Sequence, residues 1–109
     1  MTPNVIPIRR ITAQEMCEIF NREQYWERVQ SGEFKAVLLE DRIPAHIEAD
    51  VPRGTRSQMI SYRDVNGDEV ARVHQYLKPD GSIGASGKPD PKRLLFNGVL
   101  YRLYKKEKA

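Results

Sequence analysis

The stretch SQMISYRDVNGDEVARVHQYL, residues 57–77, decides the fold. Two runs rich in β-forming side chains flank Asn66-Gly67, a dipeptide suited to the two positive-φ positions of a type I′ turn. A two-residue turn sets Arg63 opposite Val70, Tyr62 opposite Ala71, Ser61 opposite Arg72, Ile60 opposite Val73 and Met59 opposite His74. Ile60, Tyr62, Ala71, Val73 and Leu77 then share one face, while Met59, Ser61, Arg63, Val70, Arg72, His74 and Tyr76 share the other. A three-residue turn with a glycine bulge shifts the register by one residue and mixes the two sets, so their clean separation favours the shorter turn.

The same signal recurs in KRLLFNGVLYRLY, residues 92–104. Around Asn97-Gly98, Phe96 faces Val99, Leu95 faces Leu100, Leu94 faces Tyr101 and Arg93 faces Arg102. Leu94, Phe96, Val99, Tyr101 and Leu103 form an apolar face, and Arg93, Leu95, Leu100, Arg102 and Tyr104 its reverse. Arginines directly opposite across a strand pair repel unless an anion or carboxylate lies between them.

Upstream, residues 11–32 read as helical. Thr12 is an N-cap with Glu15 as its capping-box partner, and Ile11 with Met16 forms a hydrophobic staple. Ala13, Met16, Ile19 and Phe20 share one face, whereas Tyr25, Trp26 and Val29 are rotated away from it. Asn21, followed by Gln24, is a candidate start for a second helix, so one bent helix and two short helices fit equally well, ending at Gly32. The fold class that follows is α+β: an N-terminal helical segment packed on an antiparallel sheet built from two or more β-hairpins, residues 57–77 and 92–105, joined by a connector at 78–91.

Between these parts the signals weaken. FKAVLL, residues 34–39, reads as a strand or a last helical turn. HIEADV, residues 46–51, alternates and puts His46, Glu48 and Asp50 on one side. Neighbours on a strand face are too far apart to converge on one ion, so this is read as the polar face of an edge strand bounded by Pro44 and Pro52. No metal and no cofactor is expected.

With 109 residues, 39% of them hydrophobic and 30% charged, the chain fits a single small domain with one core. No apolar run approaches bilayer length, and the opening MTPNVIPIRRIT lacks the apolar stretch of a secretory signal. A cytoplasmic protein with no membrane partner is expected. Cys17 is the only cysteine, which excludes an internal disulfide framework and a multi-cysteine zinc site.

Charge is unevenly distributed. Up to Pro52 there are six basic and nine acidic residues, net −3; from Arg53 onward there are twelve basic and six acidic, net +6. The basic half is the half with strand character. Packing the two hairpins side by side would bring Arg63, Arg72, His74, Arg93 and Arg102 to one sheet face with Tyr76 and Tyr104. Arginine forks suit phosphate oxygens and tyrosine rings suit bases. The expected function is therefore a small basic module binding RNA, single-stranded nucleic acid or phosphate groups. Two alternatives belong to other classes. One is a metal-independent ribonuclease-like enzyme in which His74 moves a proton and the arginines stabilise phosphate charge. The other is an interaction or regulatory module docking an acidic protein.

PDGSIGASGKPDPK, residues 79–92, invites comparison with a nucleotide-hydrolase loop. That loop needs G-x-x-x-x-G-K-[ST] running into a helix. Here five residues separate Gly81 from Gly87, and Lys88 is followed by Pro89, which has no hydroxyl and disfavours a helical Lys88. The stretch reads instead as a connector opening with a type I turn at Lys78-Pro79-Asp80-Gly81. Ser86 and Lys88 are candidate donors to an anion held by the amides around Gly84 to Gly87.

Overall fold

The computed structural model describes residues 5–44, 52–84 and 87–105. Along the chain it contains β1 (Ile8–Ile11), α1 (Ala13–Arg22), α2 (Tyr25–Gln30), β2 (Lys35–Arg42), β3 (Arg56–Arg63), β4 (Glu69–Leu77), β5 (Asp90–Phe96) and β6 (Val99–Leu103). The six strands form one sheet in the order β1-β6-β5-β4-β3-β2. The α+β class stands, but the sheet is mixed, which corrects the expected all-antiparallel arrangement: β1 runs parallel to β6.

This strand left little trace in the sequence, because Ile8 and Ile11 enclose two arginines with no alternation. Its place is set by the tertiary structure. Leu100 N donates to Pro7 O at 2.9 Å and Tyr104 N to Ile11 O at 3.2 Å. Ile11 is itself buried with Met16 in the core.

The helices begin as the capping signals require. The Thr12 side chain accepts from Glu15 N, and the Glu15 carboxylate accepts from Thr12 N at 3.0 Å. Of the two arrangements left open, two short helices are found. Gln24 sits in the left-handed region at φ 57° between them, and no side chain caps α2. The break reorients the chain so that Tyr25, like Met16 and Phe20, enters the core. Gly32, at φ 89°, ends the helical layer as anticipated. α1 lies against β5 and β6. The core between them holds Ile11, Met16, Phe20, Tyr25, Phe34, Tyr62, Ala71, Val73 and Leu94.

FKAVLL resolves as strand: Lys35–Arg42 pairs antiparallel with β3, with a bulge between Leu38 and Glu40. HIEADV lies outside the described residues. Elsewhere no helix is long and apolar enough to cross a membrane among the described residues.

Both hairpins exist, and they turn differently. Around Asn97 (φ 50°) and Gly98 (φ 74°) both central residues are left-handed, and every predicted pair from Phe96–Val99 to Arg93–Arg102 is present. At Asn66-Gly67 only Gly67 has positive φ, at 84°. The expected two-residue turn is replaced by a three-residue loop, Val65 to Gly67. Asp64 N donates to Asp68 O at 3.0 Å, and Gly67 N to Asp64 O at 3.0 Å. The Asp64 carboxylate organises the loop by accepting from Asn66 N and Asp68 N at 2.9 and 3.1 Å.

That loop shifts the register by one, so Arg63 faces Glu69 rather than Val70. A bulge between Tyr62 and Arg63 then shifts it back. From Tyr62–Ala71 to Met59–His74 the pairs are those the hydrophobic pattern demanded. Two local irregularities cancel because burial of Tyr62, Ala71 and Val73 on one face outweighs regularity at an exposed tip.

Candidate functional site

β4 and β5 are neighbours, so the two hairpins form one continuous surface. Arg72 faces Arg93, Arg93 faces Arg102, and Arg102 faces Arg10 on β1. Four arginines thus occupy one row across four adjacent strands, on the face opposite the helices, with Ser61 of β3 continuing the row. Neighbouring strands are about 4.8 Å apart, so the row spans about 14 Å. Arg10 was not among the sequence candidates, because its strand was not recognised and the row exists only once β1 joins β6.

A single carboxylate organises one end of this row. Glu69 accepts from Ser61 Oγ at 2.6 Å and from Arg72 Nε and Nη2 at 3.2 and 3.1 Å, and lies 3.8 Å from Arg93. Arg63 joins from the side, its Nε donating to Ser61 Oγ at 3.3 Å. Among the described residues Arg102 and Arg10 have no carboxylate partner; Arg10 Nη1 donates to the Leu103 carbonyl at 2.9 Å. Burial, with the like charges of Arg72 and Arg102, holds the pKa of Arg93 below the ordinary arginine value, and Glu69 opposes this. Arg10, Arg72, Lys92, Arg93, Arg102 and Leu103 line one depression of about 180 Å³.

His74 and Tyr76 lie further along β4. Ser57 Oγ is 2.7 Å from His74 Nε2, and the Tyr76 ring meets the imidazole edge-on at 4.8 Å. Asp90, the first residue of β5, is opposite His74. The pKa of His74 is lowered, first by burial and then by Lys92, with Asp90 acting in the opposite direction and Arg42 adding a smaller push down. The imidazole is thereby favoured in its neutral form. Tyr104 is 61% exposed just beyond β6, so its ring is open to a stacking partner.

The connector contributes differently from the arginines. Its type I turn forms, with Gly81 N donating to Lys78 O at 2.9 Å and a bridge between Leu77 and Ile83. Gly84 N donates to Tyr76 O at 2.8 Å, and a Cβ there would meet Tyr76 Cβ at 3.2 Å, so close approach explains this glycine. Gly87 N donates to Gly84 O at 3.3 Å. Those two amides are thus engaged by backbone carbonyls, one on β4 and one in the loop. Lys88 lies 3.7 Å from Glu27 and 5.5 Å from the Trp26 ring centre, beside α2 and away from the arginine row. Ser86 lies outside the described residues.

A larger cavity, about 440 Å³, opens at the turn end between Tyr25, Phe34, Val70, Leu95 and Phe96. Its one cation, Arg28, stacks 4.1 Å from the Phe34 ring centre and binds Glu33 at 2.7 Å. Volume favours this cavity and chemistry favours the smaller one, where five cationic residues line one depression and, among the described residues, Glu69 is the one carboxylate paired with them. No group of three or more His, Cys, Asp or Glu side chains is placed to hold a metal ion among the described residues. Cys17 is half-buried and its thiol pKa is raised by burial, which disfavours the reactive thiolate. Comparisons of the chain with protein-family models, curated proteins and solved structures found no match.

Proposed function

We propose that this is a small cytoplasmic module that binds single-stranded nucleic acid, RNA foremost, through the helix-free face of its sheet. The observation that carries the reading is the row Arg72–Arg93–Arg102–Arg10, in which like charges stand opposite one another on neighbouring strands with, among the described residues, Glu69 at one end only. Such a row is stabilised by anions, and guanidinium forks match phosphate oxygens. Arg63 and the exposed Tyr104 extend the face, one for a further phosphate and one for a base.

The test is binding of an unstructured RNA oligomer across a salt series, parent against the double variant Arg72→Ala, Arg102→Ala. Each lost phosphate contact removes an increment of counterion release, so the variant should bind more weakly and its log K against log salt slope should be shallower by about one unit or more. Equal affinity of the two proteins, or no binding by the parent at low salt, rules the face out and favours an acidic protein partner. Cleavage of the RNA in the presence of a chelator, lost in His74→Ala, would move the reading to a ribonuclease.

A further inference from the structure

The arginines of the row share one surface feature. Arg10, Arg72, Arg93 and Arg102, joined by Lys92 from the bulge of β5, line one depression of about 180 Å³. Five cationic residues therefore line one opening, and the nearby carboxylate Glu69 is bound to Arg72 and Ser61 and lies 3.8 Å from Arg93. Arg10 is fixed at the rim by its bond to the Leu103 carbonyl.

An internal phosphodiester brings one negative charge, and its neighbours along an extended strand carry theirs away from the depression. A terminal phosphate monoester carries close to two charges on one group, and each further phosphate in a chain adds about one more. Resting on the reading of this face as a phosphate-binding surface, we propose that the depression is an end-recognition site for a terminal di- or triphosphate. Two sources share that chemistry, the 5′ end of an RNA and a free nucleoside polyphosphate. The half-buried position of Arg93 supports a compact dianionic or more highly charged ligand, because a desolvated guanidinium between two others gains most from concentrated negative charge.

The experiment compares one RNA oligomer carrying a 5′-triphosphate, a 5′-monophosphate or a 5′-hydroxyl, with inorganic tripolyphosphate and ATP as competitors. The 5′-triphosphate RNA should bind about tenfold or more tightly than the 5′-hydroxyl RNA. Tripolyphosphate should displace it, and Arg102→Ala should erase the difference between the ends while leaving weaker, end-independent binding. Arg10→Gln, a change at the rim of an edge strand, gives a second reading should Arg102→Ala fold poorly. ATP binding as tightly as the RNA end supports the site with a free nucleotide as its source; much weaker ATP binding supports it with the RNA end. Equal affinity for all three ends overturns end recognition and leaves the phosphate-binding face standing, whereas no binding of any RNA or of tripolyphosphate removes both.

Discussion

Arg93 and Arg102 stand directly opposite each other on β5 and β6, and the carboxylate beside them, Glu69, reaches only Arg93, at 3.8 Å. The pair lies in the middle of a row of like charges, so the row weakens the sheet unless something anionic lies over it. A face that gives up stability in this way is characteristic of a binding surface.

That relationship predicts a stability change of unusual sign. Arg102→Thr removes one charge and supplies a good strand former, so at low ionic strength it should match or exceed the parent by about 0.2–1 kcal/mol. The advantage should shrink as salt approaches about 0.15 M, where exposed charges are screened over about 8 Å. Thermal melts at two salt concentrations check this. A loss above about 1 kcal/mol at both would mean that packing of the Arg102 stem outweighs repulsion.

The two Asn-Gly turns should respond differently to the same substitution. Asn97 has φ 50° and Asn66 does not have positive φ. Asn97→Ala forces alanine into the left-handed region at a cost of about 1–2 kcal/mol, whereas Asn66→Ala should stay within about 0.5 kcal/mol. Urea denaturation of both variants measures the contrast, and equal losses would contradict the difference between a two-residue and a three-residue loop.

His74 should make stability pH-dependent in a defined direction. Its folded pKa lies below the ordinary 6.5 because burial, with Lys92 and Arg42, opposes the charged form more than Asp90 favours it. As pH falls through 6.5 the unfolded chain takes up the proton first, so stability present above that value is lost on acidification toward the folded pKa. The melting temperature should drop between about pH 7.5 and about pH 5.5, and the drop should be smaller in His74→Gln. An undiminished drop would assign the titration to other groups.

The amino-acid sequence by itself determined the local elements whose signals are short-range. The capping box at Thr12 and Glu15, the end at Gly32, the hairpin at Asn97-Gly98 and the pairing of Arg93 with Arg102 all follow from residues within a few positions of one another. Alternation was enough to place Tyr62, Ala71, Val73 and Leu94 in the core, because a buried face admits no other register. What only the tertiary structure decided were the pairings between distant segments. Parallel pairing of β1 with β6 brings Arg10 to the row from more than ninety positions away, and β4 beside β5 sets Arg72 against Arg93. No local propensity specifies either neighbour. The turn at Gly67 was decided in the same way: dipeptide chemistry favours a two-residue turn, but Asp64 binds the backbone of a longer loop. The bulge beside Tyr62 then restores the register required by the core. The depression at the centre of the proposed site exists for that reason, since its cations come from four strands that only the assembled sheet brings together.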